Sequence, residues 1–185
     1  MTILKQIELV PHDPAWAQMA RDEADRIRMV LGPLMIGWQH IGSTAIPGIK
    51  AKPILDVMPL VSDINAVAAF RSGMEAVGYT WYGEYGLPGR RYFNRDHLET
   101  AVRIANVHIY AANDLDVTRH LAFRDYLRAN QEIALKYEAL KVHCAGLFPN
   151  DVGDYNDCKN GWIKAIEAEA ICCPGQRALS GLRPV

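Results

Sequence analysis

The sequence lacks a strong charge of either sign and a long apolar run. Its 185 residues carry 20 Lys and Arg against 21 Asp and Glu, a formal net charge of −1. A domain that binds duplex nucleic acid usually carries a basic excess, so this balance argues against that class. No stretch approaches the roughly 18 apolar residues that cross a bilayer, and the N-terminal segment lacks the apolar centre of a signal peptide. We therefore expect a cytoplasmic protein with no membrane partner.

The sequence also lacks a paired-cysteine motif. No Cys-x-x-Cys spacing occurs, and Cys172 and Cys173 are adjacent, which is a poor geometry for a disulfide between them. Cytosolic thiols are kept reduced. We therefore expect Cys144, Cys158, Cys172 and Cys173 to be free thiols rather than disulfides or zinc ligands.

Hydrophobic periodicity predicts an α/β region over residues 1–112, a helical region over 113–171 and a tail over 172–185, the first two packed as one compact unit. The predicted strands run from Met35 to Ile41, Ile54 to Val61, Tyr79 to Tyr82, Arg91 to Arg95 and Asn106 to Tyr110. The predicted helices begin at Asp13, Asp63, Asp114 or Asp116, Asn130 and Val152, and they end near Gly32, Gly78, Ala129, Pro149 and Ile171.

The segment HIGSTAIPGIKAKPILD, residues 40–56, joins one apolar strand to a second strand that carries an acid. Gly42 and Ser43 form a small-residue turn whose backbone N–H groups can approach a phosphate oxygen closely. Asp56 offers a hard oxygen ligand for Mg²⁺. The layout predicts nucleotide chemistry.

The same segment is not a P-loop. Five residues rather than four separate Gly42 from Gly48, and Lys50 is followed by alanine. This spacing argues against a kinase of that type. Thr44 still suits phosphate binding as a hydroxyl donor, and Lys52 suits it as a cation. The alternative for the lysine is a solvated loop.

Asp56 stands alone in its apolar strand. The natural position for a second metal-binding acid, two residues later on the same strand face, is Met58. Two-metal phosphoryl transfer uses two or three clustered carboxylates, so the usual pair is absent. Glu84 and Glu99 are candidate replacements as metal ligands. The alternative is that Asp56 is a structural acid satisfied by hydrogen bonds.

A second loop rich in glycine and proline, GLPGRR over residues 86–91, carries Arg90 and Arg91. Paired arginines suit bidentate binding of phosphate, and a hairpin with both arginines in water is the alternative. The loop is therefore a second candidate phosphate-binding element.

Basic side chains intrude beside the apolar stripes of three predicted helices. Lys141 lies one turn after Tyr137, and Arg124 lies beside an apolar stripe in the preceding helix. Lys159 lies one turn after Tyr155 in the last helix. A single such residue usually extends its charged end to water. Our hypothesis is that the three converge on a common anion, with Tyr155 beside it.

These features together resemble the GrpB family, a set of small proteins within the nucleotidyltransferase superfamily. The resemblance covers about residues 7–168, and it rests on LVPHDPAW, HIGSTAIPGIKAKPILD, GLPGRRYF, NVHIY, HLAFRDYLRAN, YEALK and the Tyr155–Lys159 pair. It implies an α/β (α+β) fold: a nucleotidyltransferase-like mixed β-sheet with flanking helices and a C-terminal helical subdomain.

The resemblance also implies roles for individual residues. Gly42 and Ser43 fall on the superfamily's Gly-Ser turn, and Asp56 falls on its first metal-binding aspartate. His108 lies on the strand that carries a third catalytic group, and Met58 takes the place of the second acid. Members of the family commonly lack an acid there, and some occur fused to dephospho-CoA kinase.

The leading hypothesis is a nucleotidyltransferase-like protein that binds a nucleotide or another phosphorylated small molecule with Mg²⁺, and that transfers a nucleotidyl group to a small acceptor if it is active. Asp56 would hold the metal, with Glu84 or His108 beside it. The expected phosphate-binding residues are Gly42, Ser43, Thr44, Lys52, Arg90, Arg91, Arg124, Lys141, Tyr155 and Lys159. The alternatives are a non-catalytic module that binds a nucleotide or a CoA-type ligand, and a protein-interaction scaffold. A homodimer is a candidate assembly.

Overall fold

The computed structural model describes residues 6–172, so the predicted tail from residue 173 onward, with Cys173, lies outside the described residues. Within that range, no helix has both the length and the apolar character to cross a membrane. The main elements are α1 (Trp16–Leu31), β1 (Met35–Ile41), β2 (Leu55–Val61), α2 (Arg71–Ala76), β3 (Tyr79–Trp81), β4 (Arg91–Asp96), β5 (Arg103–Ala111), α3 (Leu115–Ala129), α4 (Gln131–Leu147) and α5 (Val152–Cys172).

The strands form one mixed sheet in the order β1-β2-β5-β4-β3. Only the central pair, β2 and β5, runs parallel; β1 pairs with β2, and β4 with β5 and β3, in antiparallel fashion. The antiparallel register places Ile41 at the end of β1 opposite Asp56 at the start of β2. The parallel register places Asp56 opposite Asn106 of β5. The predicted mixed sheet is confirmed.

The two faces of β2 pack against different helices, as its side-chain alternation requires. Val57 and Val61 join the main core with α1, α2 and the neighbouring strands. Met58 and Leu60 join a smaller cluster with Val117 of α3. Asp56 is on the face of Met58, so its carboxylate points toward the side of the sheet that the helical half covers.

The loop between β1 and β2 connects the sheet to the helical half. Ile46 and Ile49 of this loop are fully buried in a cluster with residues of α3, α4 and α5. Lys50 accepts a hydrogen bond from the Lys141 ammonium group through its carbonyl oxygen, and its N–H donates to the Glu138 carboxylate. These contacts hold α4 over the segment that carries the Gly-Ser turn. The division into domains stays a prediction.

The predicted helix from Asp63 to Gly78 is wrong in its first half. A 3₁₀ helix covers Asn65–Phe70 and passes into α2. The apolar residues that pack on the core, Ile64, Val67 and Phe70, are spaced by three, which is the period of a 3₁₀ helix.

The prediction that all the cysteines are free thiols is also wrong. Cys144 of α4 and Cys158 of α5 form a disulfide with their Cα atoms 5.9 Å apart. Cys172 is a free, exposed thiol. A separation of 14 residues across a helix break gives no sequence signal that two helical positions face each other.

Candidate functional site

A cavity of about 710 Å³ opens between the starts of β2 and β5, the loop before β4, and helices α4 and α5. Most of the residues that the sequence singles out meet there. Those lining the cavity are Gly42, Ser43, Thr44, Lys52, Asp56, Arg90, His108, Lys141, Tyr155 and Lys159.

The Gly-Ser turn and the strand acid are in direct contact. Gly42 follows the last residue of β1 and has a φ of +70°, a conformation that favours glycine. A Cβ atom at Gly42 would overlap the carboxylate of Asp56. The turn therefore needs glycine both for its backbone angle and for its closeness to the acid.

The Asp56 carboxylate is held by a chain of hydrogen bonds. Arg90 donates to Nδ1 of His108 at 3.3 Å, so Nε2 of the imidazole carries the proton that faces Asp56 Oδ1, also at 3.3 Å. Asn106 Nδ2 donates to the same oxygen at 2.9 Å. Burial opposes ionisation, but these hydrogen bonds and the charge of Lys52 lower the pKa of Asp56 below its usual value. The acid is ionised at neutral pH.

The residues around Asp56 do not fit a two-metal centre. Met58, in the second acid's position, is fully buried, and a thioether is a poor ligand for a hard cation. Within residues 6–172, no group of three or more His, Cys, Asp or Glu side chains is placed to hold a metal ion. A single Mg²⁺ at Asp56 would need most of its ligands from the substrate and from water.

Three lysines from three different segments line the opposite wall. Lys159 Nζ lies 3.8 Å and Lys52 Nζ 5.1 Å from the centroid of the Tyr155 ring, so two ammonium groups share one aromatic ring. Lys141 Nζ lies 4.7 Å from the Tyr137 centroid. The side chains of Lys141 and Lys159 are only 2% and 9% exposed. In the part of the chain that is described, none of the three pairs with a carboxylate within ion-pair distance.

Burial lowers the pKa values of these lysines, and repulsion from neighbouring lysines lowers that of Lys159 further. Burial, followed by the charges of Lys52 and Lys141, lowers the pKa of Lys159 to about 7. Burial lowers the pKa of Lys141 to about 8 and also lowers that of Lys52, with Asp56 opposing the shift at Lys52. The wall is therefore a desolvated cationic surface in which no described carboxylate forms a direct ion pair, although the charge of Asp56 favours protonation of Lys52 and Lys159 and that of Glu138 favours protonation of Lys141.

The hydroxyls of the turn already have side-chain partners. Ser43 Oγ lies 3.5 Å from the hydroxyl of Tyr137. A hydrogen bond of 2.9 Å joins Thr44 Oγ1 to Nε2 of His40, and burial lowers the pKa of that imidazole to about 4. His40 is thus neutral and supports the turn from the strand side.

Four candidate site residues do not line the cavity: Glu84, Arg91, Glu99 and Arg124. Arg124 is 4% exposed and donates to Gln39 Oε1, to the His40 carbonyl oxygen and to the adjacent Asp125, so it fastens α3 to β1. Glu84 accepts from the Gly89 N–H and from Arg91 at 3.3 Å, which closes the loop before β4. Of the three basic residues that were expected to converge, Lys141 and Lys159 line the same cavity and Arg124 does not.

Nine further residues line the cavity that were not among the predicted site residues: Ile54, Tyr85, Gly86, Leu87, Tyr92, Asn106, Tyr137, Asn156 and Asp157. Tyr85 and Tyr92 stack at a centroid distance of 4.9 Å, and Arg90 lies 4.9 Å from the Tyr92 centroid. Tyr137 had a usable signal, because it precedes Lys141 by the same four residues that separate Tyr155 from Lys159. Tyr85, Tyr92 and Asn106 depend on strand register and loop closure, which a single sequence does not reveal.

Curated proteins are similar to this chain in sequence. UPF0157 protein YqkA of Bacillus subtilis is 40% identical over 166 residues, which cover 90% of this chain and 48% of YqkA, so the chain spans about half the length of that relative. A dephospho-CoA kinase of Mycolicibacterium paratuberculosis is 25% identical over 181 residues, covering 85% of this chain and 44% of the kinase.

Solved structures show the same architecture. The crystal structure of GrpB from Enterococcus faecalis superposes with a TM-score of 0.83 at 37% identity, over 89% of this chain and 98% of that one. Cid1, solved with its short product ApU, has a TM-score of 0.52 at 12% identity, over 74% of this chain and 42% of Cid1. At that identity the likeness shows the fold alone, which is nucleotidyltransferase-like.

The sequence match extends over nearly all of the described chain. Residues 6–169 match the family described as GrpB protein. This range includes every residue that lines the cavity. The resemblance expected from the motifs is thereby confirmed, and the chain belongs to the GrpB family.

Proposed function

We propose that the cavity binds a nucleotide or another phosphate-bearing small molecule. The observation that carries this proposal is that Lys52, Lys141 and Lys159 line one cavity, that Lys141 and Lys159 are buried, and that none of the three forms an ion pair with a carboxylate of the described residues. Burying an ammonium group without a counter-ion costs free energy, and a phosphate ligand would offset that cost by pairing with several lysines at once. The Gly-Ser turn supplies the close backbone approach on the opposite side.

A binding screen tests the proposal. The melting temperature and tryptophan fluorescence of the protein are measured with nucleoside mono-, di- and triphosphates, CoA and inorganic pyrophosphate, each with and without Mg²⁺. A ligand at about 100 times its Kd stabilises the fold by about 2.7 kcal/mol. Lys159→Gln should lose most of this stabilisation, whereas Lys164→Gln, an exposed lysine on the same helix, should retain it. Equal stabilisation of both variants, or none for the unmodified chain, contradicts the proposal.

Nucleotidyl transfer is the second candidate function. It is favoured by the contact between Asp56 and the Gly-Ser turn on a nucleotidyltransferase-like fold. An acceptor hydroxyl would bond to the α-phosphorus of a nucleoside triphosphate, and pyrophosphate would leave. The chain of Arg90, His108 and Asp56 would fix the carboxylate at the reacting end of the cavity.

Turnover separates the two candidates. Release of pyrophosphate from labelled nucleotides, lost in Asp56→Asn, supports transfer. Binding without turnover, unchanged in that variant, supports a non-catalytic module for a nucleotide or a CoA-type ligand. The likeness to a dephospho-CoA kinase gives a reason to include CoA in the screen.

Mg²⁺ at Asp56, a cytoplasmic location and a homodimer stay predictions from the sequence. A scaffold without a ligand has no need of a pocket lined by basic residues, so the cationic wall argues against that alternative.

A further inference from the structure

Asp56 and the three lysines reach the cavity from different segments of the chain. On the strand side, Asp56 is in place, but the second acid is replaced by Met58 within the apolar cluster of Leu60, Tyr110 and Val117. A buried thioether among apolar side chains offers nothing to a hard divalent cation. The strand side therefore carries one carboxylate where a metal pair needs two or three.

The remaining carboxylate is already engaged. Asp56 Oδ1 accepts from Asn106 at 2.9 Å and from His108 at 3.3 Å. The other oxygen faces Gly42 closely enough to exclude a Cβ atom there. A metal ion at this acid would compete with protein donors for one oxygen and with the turn for space around the other.

Three lysines give the other side of the cavity a positive charge. The ammonium groups of Lys52 and Lys159 both lie near the Tyr155 ring, and that of Lys141 lies near the Tyr137 ring. Lys141 and Lys159 are at least nine-tenths buried and line the cavity, and neither forms an ion pair with a carboxylate of the described residues. Three fixed monovalent cations can neutralise a diphosphate group, which is the work that Mg²⁺ performs in a two-metal site.

We propose that Lys52, Lys141 and Lys159 replace the metal ions, so that this chain binds a ligand with a di- or triphosphate group as the metal-free anion. The proposal rests on the proposed function and specifies the ionic form of its ligand. Free Mg²⁺ then weakens binding, because it complexes the phosphate oxygens that the lysines need. The ligand requires at least three negative charges, so a monophosphate binds poorly at the same site.

Calorimetric titration with inorganic pyrophosphate and ADP, in EDTA and in excess Mg²⁺, tests this proposal. We expect binding in EDTA and an apparent Kd at least about threefold weaker in Mg²⁺. Lys141→Gln and Lys159→Gln should each weaken binding in EDTA by about tenfold, whereas Lys164→Gln should not.

The results of this titration distinguish failure of the metal-free site from failure of phosphate binding itself. Binding that is tightened about tenfold or more by Mg²⁺ overturns the metal-free site but leaves phosphate binding intact. Binding in EDTA that survives in both lysine variants also overturns it, because the anion would then lie elsewhere. Absence of binding by either probe in either buffer overturns the proposed function itself.

Discussion

The ammonium group of Lys159 lies 3.8 Å from the centroid of the Tyr155 ring, one turn earlier in α5. The ring face provides some attraction, and Asn156 accepts one hydrogen bond from Nζ at 3.1 Å. Neither contact supplies a negative charge, and Lys52 approaches the same ring. A lysine in such a place lowers the stability of the free protein, and an anion would reverse that effect.

We expect Lys159→Met to raise the free energy of unfolding while it weakens binding of phosphate ligands. Methionine fills a similar volume without a charge to desolvate, so the gain should be about 1–3 kcal/mol. The gain should be largest below pH 7. The pKa of Lys159 is lowered from 10.5 to about 7, so the penalty declines as the pH rises toward 10.5. Urea denaturation at several pH values measures it.

The matched control is Lys164→Met, at an exposed position of the same helix. Its effect on stability should stay within about 0.5 kcal/mol at every pH. A Lys159→Met variant that is less stable than the unmodified chain would show that the lysine is a structural element rather than a strained binding group.

Binding of pyrophosphate should weaken as the pH rises from 6.5 to 9. In the free protein the pKa of Lys159 is about 7 and that of Lys141 about 8, and a bound anion raises both. Binding then takes up protons, and affinity falls by up to about tenfold per pH unit for each lysine that is neutral when free and charged when bound. Titration in two buffers of different ionisation enthalpy measures the proton uptake.

Two other titratable groups that line the cavity, Asp56 and Tyr155, keep the same charge over this pH range. Asp56 is ionised throughout, because its pKa is lowered, and burial raises the pKa of Tyr155 far above the range. A Kd that is constant with pH, in wild type and in Lys159→Gln alike, would mean that neither lysine contacts the anion.

The sequence predicts the sheet better than the site. Successive side chains of a strand point to opposite faces of the sheet, so the sequence alone places Asp56 on the face of Met58 in β2 and His108 on the face opposite Val107 and Ile109 in β5. The antiparallel pairing of β1 and β2 then brings Gly42 to Asp56. Local patterns of this kind are visible in one sequence because each depends on neighbours along the chain.

The rest depends on contacts between distant segments. Asn106 and Asp56 are hydrogen-bonded although 50 residues separate them in the sequence. The Cys144–Cys158 disulfide depends on the relative rotation of helices α4 and α5. Arg124 shows the same limit. Its spacing beside an apolar stripe matches that of the two lysines, yet it pairs with Gln39 and Asp125 and leaves the cavity to them. Sequence spacing identifies a helix face but not the surface that the face meets.

Gly42→Ala should destabilise the protein and disorganise the Gly-Ser turn. Alanine is strained at a φ of +70°, and its Cβ would overlap the Asp56 carboxylate, so we expect a loss of about 1–3 kcal/mol in unfolding free energy and of ligand binding. Gly146→Ala is the control, because a Cβ there meets nothing within 4 Å in the last turn of α4. That variant should gain up to about 1 kcal/mol from helix propensity. Equal effects of the two substitutions would contradict a special requirement at the turn.

Removing the disulfide should lower both stability and ligand affinity. Cys144 lies three residues after Lys141, and Cys158 immediately precedes Lys159, so the bond holds the two buried lysines of the cavity in register. Closing a loop of this length contributes about 3 kcal/mol to the free energy of unfolding. We therefore expect reduction with a thiol, or the double substitution Cys144→Ser and Cys158→Ser, to lower the urea midpoint and to weaken pyrophosphate binding.

Cys172→Ser provides the comparison, since that thiol is exposed and unpaired. It should unfold at the same urea concentration as the unmodified chain and remain sensitive to reduction, whereas the double variant should be insensitive. If the unmodified chain unfolds at the same midpoint in oxidising and reducing buffer, the bond does not form in solution. If the midpoint falls but pyrophosphate binding does not change, packing of α4 against α5 alone holds Lys141 and Lys159 in place.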